Sequence, residues 1–297
     1  MSEEESVSSF FPAPLVPLAG HPLVQGLPPE AYEQVFIQHL YRYLDFTAKL
    51  EYAVVNRTAL GIARGSVAIG LPREMRLDAL KIYCDEAYHT LMSVDLLQQI
   101  EVRTGVPARL PEEPFFLKRL AGLLEEAGPD MAPLVELLFV IVSETLISGN
   151  LAAIPGHDDL LPAVRDTIQD HANDEGRHHT YFAIFLRHLW GQLDAHTRRQ
   201  AALYVPRLIH AFLDPDLPAL RQELQGYGMA ADAVEQTLNE VFDTATVQRY
   251  TRASAQQTLR HFAALGVFDD AQAVEAFEEG GLTGSAEDRS ARRQLHS

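Results

Sequence analysis

The sequence predicts an all-α protein with a four-helix bundle core and additional C-terminal helices. Apolar residues recur at three- and four-residue intervals over long segments, and no segment alternates as a half-buried strand would. Gly-Leu-Pro at 70–72 and Pro-Gly at 155–156 separate these segments. Two Glu-x-x-His motifs, Glu86–His89 and Glu175–His178, lie in different segments. Bundles that bind a pair of metal ions in their core carry such motifs on two of their helices.

The predicted elements follow one another from an irregular arm at residues 1–28. Pro29 then opens a first helix, which runs to about residue 64 and places Glu51 on its apolar stripe. The next three helices are predicted at about 72–104, 132–151 and 158–190, with a loop and a short helix at 106–130. Asp158 or Asp159 is the expected N-cap of the last of these.

Further helices are predicted after residue 194, so that residues 29–265 form a single helical domain. Residues 280–297 are polar and are expected to form a disordered tail. Long amphipathic helices of this kind allow a homodimer, which we expect, although the sequence indicates no interface.

The composition favours a globular chain that binds neither nucleic acid nor membrane. Its formal net charge is -17, whereas a surface that binds nucleic acid is basic. The most apolar segment, residues 134–154, contains Glu136, Glu144 and Asn150, which favours a buried helix over a membrane span. Cys84 is the only cysteine, so no internal disulfide can form. With no signal peptide predicted, the chain is expected in the cytoplasm.

The candidate metal ligands extend beyond the two Glu-x-x-His motifs. Glu51 and Glu144 sit within apolar stripes, where a lone carboxylate is costly unless it is neutralised or binds a cation. The order Glu, Glu-x-x-His, Glu, Glu-x-x-His over four helices is the one that a dimetal bundle requires. His171 adds a third imidazole on the side of Glu175 and His178, because the three are spaced at i, i+4 and i+7.

Each part of this set has a simpler explanation when it is taken alone. A single Glu-x-x-His is as well explained by a solvated helix face. Glu144 alone fits a buried carboxylate paired with Arg165 or Arg177. The complete set in the correct order is what favours a metal site.

Three neighbouring residues are predicted to support the ligands. Asp85 and Asp174 each precede a Glu-x-x-His, where a carboxylate can accept the far N–H of an imidazole and fix its orientation. Arg177 is expected to pair with a ligand or with one of these aspartates. Ligation by carboxylates and imidazoles without thiolates favours iron, with manganese as the alternative, over structural zinc.

These residues resemble the family of diiron amine N-oxygenases typified by the p-aminobenzoate N-oxygenase of aureothin biosynthesis and the arylamine N-oxygenase of chloramphenicol biosynthesis. The feature that carries the resemblance is the additional histidine ahead of the second motif, in the sequence His171-Ala-Asn-Asp-Glu-Gly-Arg-His178. The resemblance covers about residues 30–215 and implies a ferritin-like fold. It implies metal ligation by Glu51, Glu86, His89, Glu144, His171, Glu175 and His178.

The same resemblance implies an oxidoreductase of secondary metabolism, such as antibiotic biosynthesis. It implies two iron ions, dioxygen, an external electron donor and an electron-transfer partner. The substrate would be an amine, free or bound to a carrier protein, which is oxidised to the hydroxylamine and further to nitroso or nitro products. Helical spacing suggests a substrate pocket lined by Val55, Val140, Ile141, Ser148 and Phe182.

Two other activities fit the same ligand pattern. A diiron C-hydroxylase or desaturase would use the same site on a small or carrier-bound substrate. A ferroxidase or iron-storage protein would also bind iron through carboxylates and imidazoles, although the extra histidine has no evident use there.

Overall fold

A computed structural model describes residues 9–67 and 69–284, without the side chains of residues 148–150 and 152. Its α-helices in chain order are α1 Pro22–Gln25, α2 Pro29–Leu50, α3 Asn56–Arg64, α4 Arg73–Thr104, α5 Phe115–Ala152, α6 Pro162–Gln192, α7 Ala195–Leu213, α8 Leu217–Gly226, α9 Ala231–Val241, α10 Thr244–Ser254, α11 Gln256–Ala263 and α12 Ala271–Glu279. Shorter turns are the 3-10 segments Ala13–Leu15, Pro17–Gly20 and Val267–Asp269 and the π-helical segment Glu51–Val55. The described residues form no strand, which confirms the predicted all-α fold class.

The long helices lie where the apolar periodicity predicts them. α2, the π-helical segment and α3 follow one another without a break to Arg64, and α4 covers the second predicted helix. The expected N-cap at Asp158 or Asp159 is wrong, because α6 begins only at Pro162. A proline suits the first helical position, since its missing N–H has no intrahelical partner there and its φ is already helical.

α5 begins well before the helix predicted from residue 132. Phe116, Leu120 and Leu123 are buried, and this periodicity extends the helix back into the segment assigned to a loop with a short helix. Gly128 interrupts α5 with φ 70° and ψ 172°, a conformation outside the helical region that favours glycine. The long part of α5 contains the apolar segment 134–154. None of the described helices is long and apolar enough to cross a bilayer.

The chain divides into two compact units. The first comprises Met1–Phe115, Ile147–His179 and Pro215–Asp243, and the second comprises Phe116–Leu146, Thr180–Asp214 and Thr244–Ser297. The domain boundaries predicted from the sequence stay predictions. The predicted tail at 280–297 lies outside the described residues from position 285 onward.

The first unit is built on the apolar stripe of α2 and α3. Leu40, Leu44, Val55, Ala59 and Ile62 are all fully or almost fully buried. α4 packs along both helices. The stripe therefore faces the interior of this unit over its whole length, and any polar residue on the stripe is removed from water.

The N-terminal arm is packed on the same unit. The Phe11 ring lies with its centroid 4.6 Å from that of His39 and 5.6 Å from that of Tyr43. The Ser9 N–H donates to the Asp159 carbonyl at 2.6 Å, and the Leu161 N–H donates to the Ser9 carbonyl at 3.1 Å. The arm thus covers the middle of α2 with an aromatic side chain and is held at the start of α6 by backbone hydrogen bonds.

The second unit contains the helices that follow the bundle sequence. Phe139 of α5 lies against Phe116 and Phe212, and Trp190 of α6 meets Phe262 of α11 edge to face at 6.0 Å. Thr145 and Thr258 share a buried hydrogen bond of 2.9 Å. These contacts give the C-terminal helices a core of their own within the unit.

Candidate metal centre

Glu51 is placed by a local departure from α-helical geometry. The segment Glu51–Val55 is π-helical, between the α-helical turns of α2 and α3. Such π turns are rare and occur frequently at functional sites. The Glu51 side chain is fully buried on the apolar stripe, as the periodicity predicts. The π turn itself has no signal in the sequence.

Five predicted ligands meet within the first unit. Glu51 comes from the π turn, Glu86 and His89 from α4, and His171 and Glu175 from α6. One side-chain ligand atom of each lies within 4.8 Å of those of the others, and all five residues are buried. His178, also buried, belongs to the same unit and contacts both Glu86 and Glu175.

Glu175 lies among the three imidazoles. Its Oε1 is 3.0 Å from His171 Nε2, 3.4 Å from His178 Nδ1 and 3.7 Å from His89 Nδ1. Glu86 joins two of the same histidines, because its Oε2 lies 2.8 Å from His89 Nδ1 and its Oε1 lies 2.8 Å from His178 Nδ1. His171 Nε2 is also 3.8 Å from Glu51 Oε1. The carboxylates and imidazoles therefore form one continuous cluster.

The two aspartates contact the histidines in a crossed arrangement. His89 of α4 donates its Nε2–H to Asp174 of α6 at 3.2 Å, and His178 of α6 donates to Asp85 of α4 at 3.3 Å. Each ring thus turns Nε2 to an aspartate of the opposite helix and Nδ1 to the cluster, as metal-binding histidines do. Arg177 forms an ion pair with Asp174, which extends this network to the exposed side of α6.

The cluster keeps positive charge between its carboxylates. Burial by itself would raise the pKa of Glu86, but hydrogen bonds from His178 and His89 lower it well below its usual range. Burial would likewise lower the pKa of His178, yet hydrogen bonds to Glu175 and Glu86 raise it to about 12. Protons supply this charge in the absence of metal, and metal ions supply it once the imidazoles are neutral ligands.

The residues present fit a dimetal site. Glu175 Oε2 is buried and accepts no hydrogen bond from any described residue, which leaves it with a coordinating lone pair. The donors are carboxylate oxygens and imidazole nitrogens, and the described cluster contains no thiol. This donor set suits iron or manganese better than structural zinc.

Tyr43 is a residue of this region that the sequence analysis missed. It lies two helical turns before Glu51 on α2, and its hydroxyl is buried without a hydrogen-bond partner among the described residues. Burial raises the pKa of this phenol, and the charges of Glu175 and Glu51 raise it further. The i, i+8 spacing from Glu51 is the signal that would have found it.

The other predicted residues lie in both units. Val55 is buried beside the π turn in the first unit, whereas Glu144, Val140, Ile141 and Phe182 are buried in the second. The side chain of Ser148 lies outside the described residues. The predicted pocket lining therefore stays a prediction, as does the ligand role of each site residue.

Replacing either aspartate of the crossed pair should weaken metal binding. Asp85→Asn and Asp174→Asn keep the size of the side chain but remove the charge that orients His178 or His89. We expect each to lower metal affinity about 10- to 100-fold, the usual effect of losing such a partner. Competition against a fluorescent chelator measures the affinity. Asp95→Asn, exposed on α4, is the matched control, and equal affinities in all four proteins would refute the assigned role.

Comparison with known proteins places the chain in a family. The family model described as p-aminobenzoate N-oxygenase AurF matches residues 2–266. A 4-aminobenzoate N-oxygenase of Streptomyces thioluteus is 24% identical over 247 residues, which cover 82% of this chain and 72% of that protein. The all-helical structure agrees with the ferritin-like fold of this family, and the resemblance noted from His171 and the two Glu-x-x-His motifs is confirmed. The chain therefore belongs to the p-aminobenzoate N-oxygenase AurF family and is an oxygenase.

Proposed function

We propose that this oxygenase binds two iron ions in its Glu/His cluster and uses dioxygen to N-oxygenate an amine. The observation that carries the proposal is the buried cluster of Glu51, Glu86, His89, His171 and Glu175 in a member of this family. Such a set of buried ionisable groups would be costly in a protein that bound no cation there. The product would be a hydroxylamine, with further oxidation to nitroso or nitro.

The proposed ligand set is completed by His178 and Glu144. Support for His178 comes from its contacts with Glu86 and Glu175. Support for Glu144 comes from its complete burial on α5 and from its place in the order Glu, Glu-x-x-His, Glu, Glu-x-x-His. With two Glu-x-x-His motifs and two lone glutamates, each metal would receive both kinds of donor.

The protein's own residues would hold, orient and shield the reacting groups. When bound, a pair of reduced iron ions supplies the capacity to bind and reduce dioxygen, with electrons from an external donor. Asp174 and Asp85 hold the His89 and His178 rings in place. Buried apolar neighbours of Glu51 on the stripe, such as Ala48 and Val55, keep water from the ligands. The buried Tyr43 hydroxyl has hydrogen-bonding capacity that a substrate would use.

His171 is proposed to distinguish N-oxygenation from other dioxygen chemistry. Its ring centroid lies 4.0 Å from that of His89, and its Nε2 contacts Glu175. A third imidazole adds a neutral donor without adding negative charge, which changes the electron density at the metal while the carboxylate count stays the same. We expect His171→Ala to retain most of the bound iron and to lose at least about 10-fold in N-oxidised product. His179→Ala, on the same helix, is the control, and an unchanged product yield in His171→Ala would contradict the assigned role.

Product analysis tests the proposed function. The iron-loaded protein would be reduced, exposed to dioxygen and incubated with aryl amines and amino acids, and products would be identified by mass spectrometry. N-oxidised products support the proposal. Oxidised carbon skeletons without any N-oxidised product would instead favour a C-hydroxylase or desaturase. Iron mineralised without an organic product would favour a ferroxidase.

A further inference from the structure

α4 carries an exposed apolar surface on the side away from its metal ligands. Leu77, Leu80, Leu91 and Val94 are 41% to 61% exposed, and Cys84 and Ala87 between them are also exposed. No other described helix carries more than one large apolar side chain with comparable exposure. We call these six residues, Leu77, Leu80, Cys84, Ala87, Leu91 and Val94, the α4 seam.

The spacing of the α4 seam is that of a helix-pairing interface. Its residues follow intervals of three, four, three, four and three, which are the a and d positions of successive heptads. Such spacing forms one nearly straight apolar stripe along about 26 Å of helix. A seam of this type is satisfied by another helix packed along it.

The seam is also self-complementary when it is reversed. The intervals are the same from either end, so that an antiparallel copy places Leu77 opposite Val94, Leu80 opposite Leu91, and Cys84 opposite Ala87. Each layer pairs an a position with a d position, and the small Cys84 and Ala87 side chains meet at the centre. A twofold interface requires this kind of self-match, because each patch must be its own partner.

The charges around the seam favour a second copy as the partner. The chain as a whole carries -17, so most of its surface repels an identical molecule. Along residues 73–95, however, the exposed charged side chains are Arg73, Glu74, Arg76, Lys81 and Asp95, three basic and two acidic. Two copies therefore meet with little electrostatic cost along this face.

We propose that the α4 seam joins two copies of this chain, packed antiparallel about a twofold axis near residues 85 and 86. The contact lies on the opposite side of α4 from Glu86 and His89, which are fully buried. Dimer formation then braces the helix that supplies these two candidate ligands and Asp85. The proposal is independent of the reaction that the site carries out.

Sedimentation of the full-length protein tests the contact. The wild type is expected to dimerise at micromolar concentration. The double variant Leu80→Glu/Leu91→Glu places glutamates opposite each other and is expected to weaken the dimer at least about 100-fold. Val102→Glu is the matched control, because Val102 is 87% exposed on the same helix but lies beyond the seam. Circular dichroism checks that all variants remain helical.

Cys84, as the single cysteine of the chain, gives an independent readout of register. In the proposed dimer the two Cys84 Cα atoms lie about 10 Å apart, from an offset of about 4.5 Å along the axis and about 9 Å across it. A short bis-maleimide is expected to link them, whereas a direct disulfide needs Cα atoms within about 7 Å. A monomeric wild type, or a dimer that survives the double variant and resists the bis-maleimide, would overturn the proposal.

Discussion

Glu175→Ala is expected to abolish binding of two iron ions and to lower turnover more than about 100-fold, beyond the effect of losing an outer partner. The Glu175 carboxylate lies within 3.7 Å of all three cluster histidines. Its removal leaves those imidazoles with fewer anionic neighbours, so that less negative charge remains to hold metal cations. Elemental analysis of the purified protein measures the iron, and product formation measures the turnover.

Two further variants separate loss of the ligand from loss of the fold. Glu175→Gln keeps the volume of the side chain but is neutral, and it is expected to lose iron almost as completely as Glu175→Ala. Asp166→Ala, exposed on the same helix, should keep both iron and activity. Wild-type iron content in Glu175→Ala would show that this residue is not a ligand.

The largest expected effect on stability follows from Glu223→Ala. Arg42 of α2 forms an ion pair with the buried Glu223 of α8, and Glu223 also accepts a hydrogen bond of 2.8 Å from the Tyr227 hydroxyl. Burial lowers the pKa of Arg42 to about 10, so its charge is already held at a cost. Loss of the carboxylate leaves that guanidinium uncompensated, and we expect the free energy of unfolding to fall by about 3–5 kcal/mol.

Urea unfolding of the metal-free protein measures this change without a contribution from metal binding. Replacing both partners, as in Arg42→Met/Glu223→Leu, should recover much of the loss, because no buried charge is then left alone. Glu235→Ala removes the exposed partner of Arg221 and should change stability little. A similar small effect of Glu223→Ala would show that the Arg42–Glu223 pair does not stabilise the protein.

The helices that carry the candidate ligands were predictable because their signals are local. The stripe through Leu44, Glu51 and Val55 records one buried face of a helix, and two glutamates and a histidine on buried faces need no knowledge of the rest of the chain. The order of these motifs then indicated a dimetal bundle. α5 extends further than predicted because Gly128 and Pro129 were taken to bound a loop, whereas buried residues on both sides continue the helix.

The features that the sequence did not predict depend on contacts between distant segments. The crossed contacts of Asp85 with His178 and of Asp174 with His89 require the relative positions of α4 and α6. The π turn at Glu51 changes the backbone without changing the apolar pattern. The Arg42–Glu223 pair joins residues whose spacing along the chain carries no information about their contact.

Transfer of oxygen from isotopically labelled dioxygen is the most direct test of the central claim. The reduced, iron-loaded protein would be mixed with an accepted amine and labelled dioxygen, and the product would be analysed by mass spectrometry with fragmentation. A labelled oxygen atom on nitrogen in the wild type, and none with Glu175→Ala, is the expected result. Label found only on carbon, or N-oxygenation that persists in a protein without iron or manganese, would contradict it.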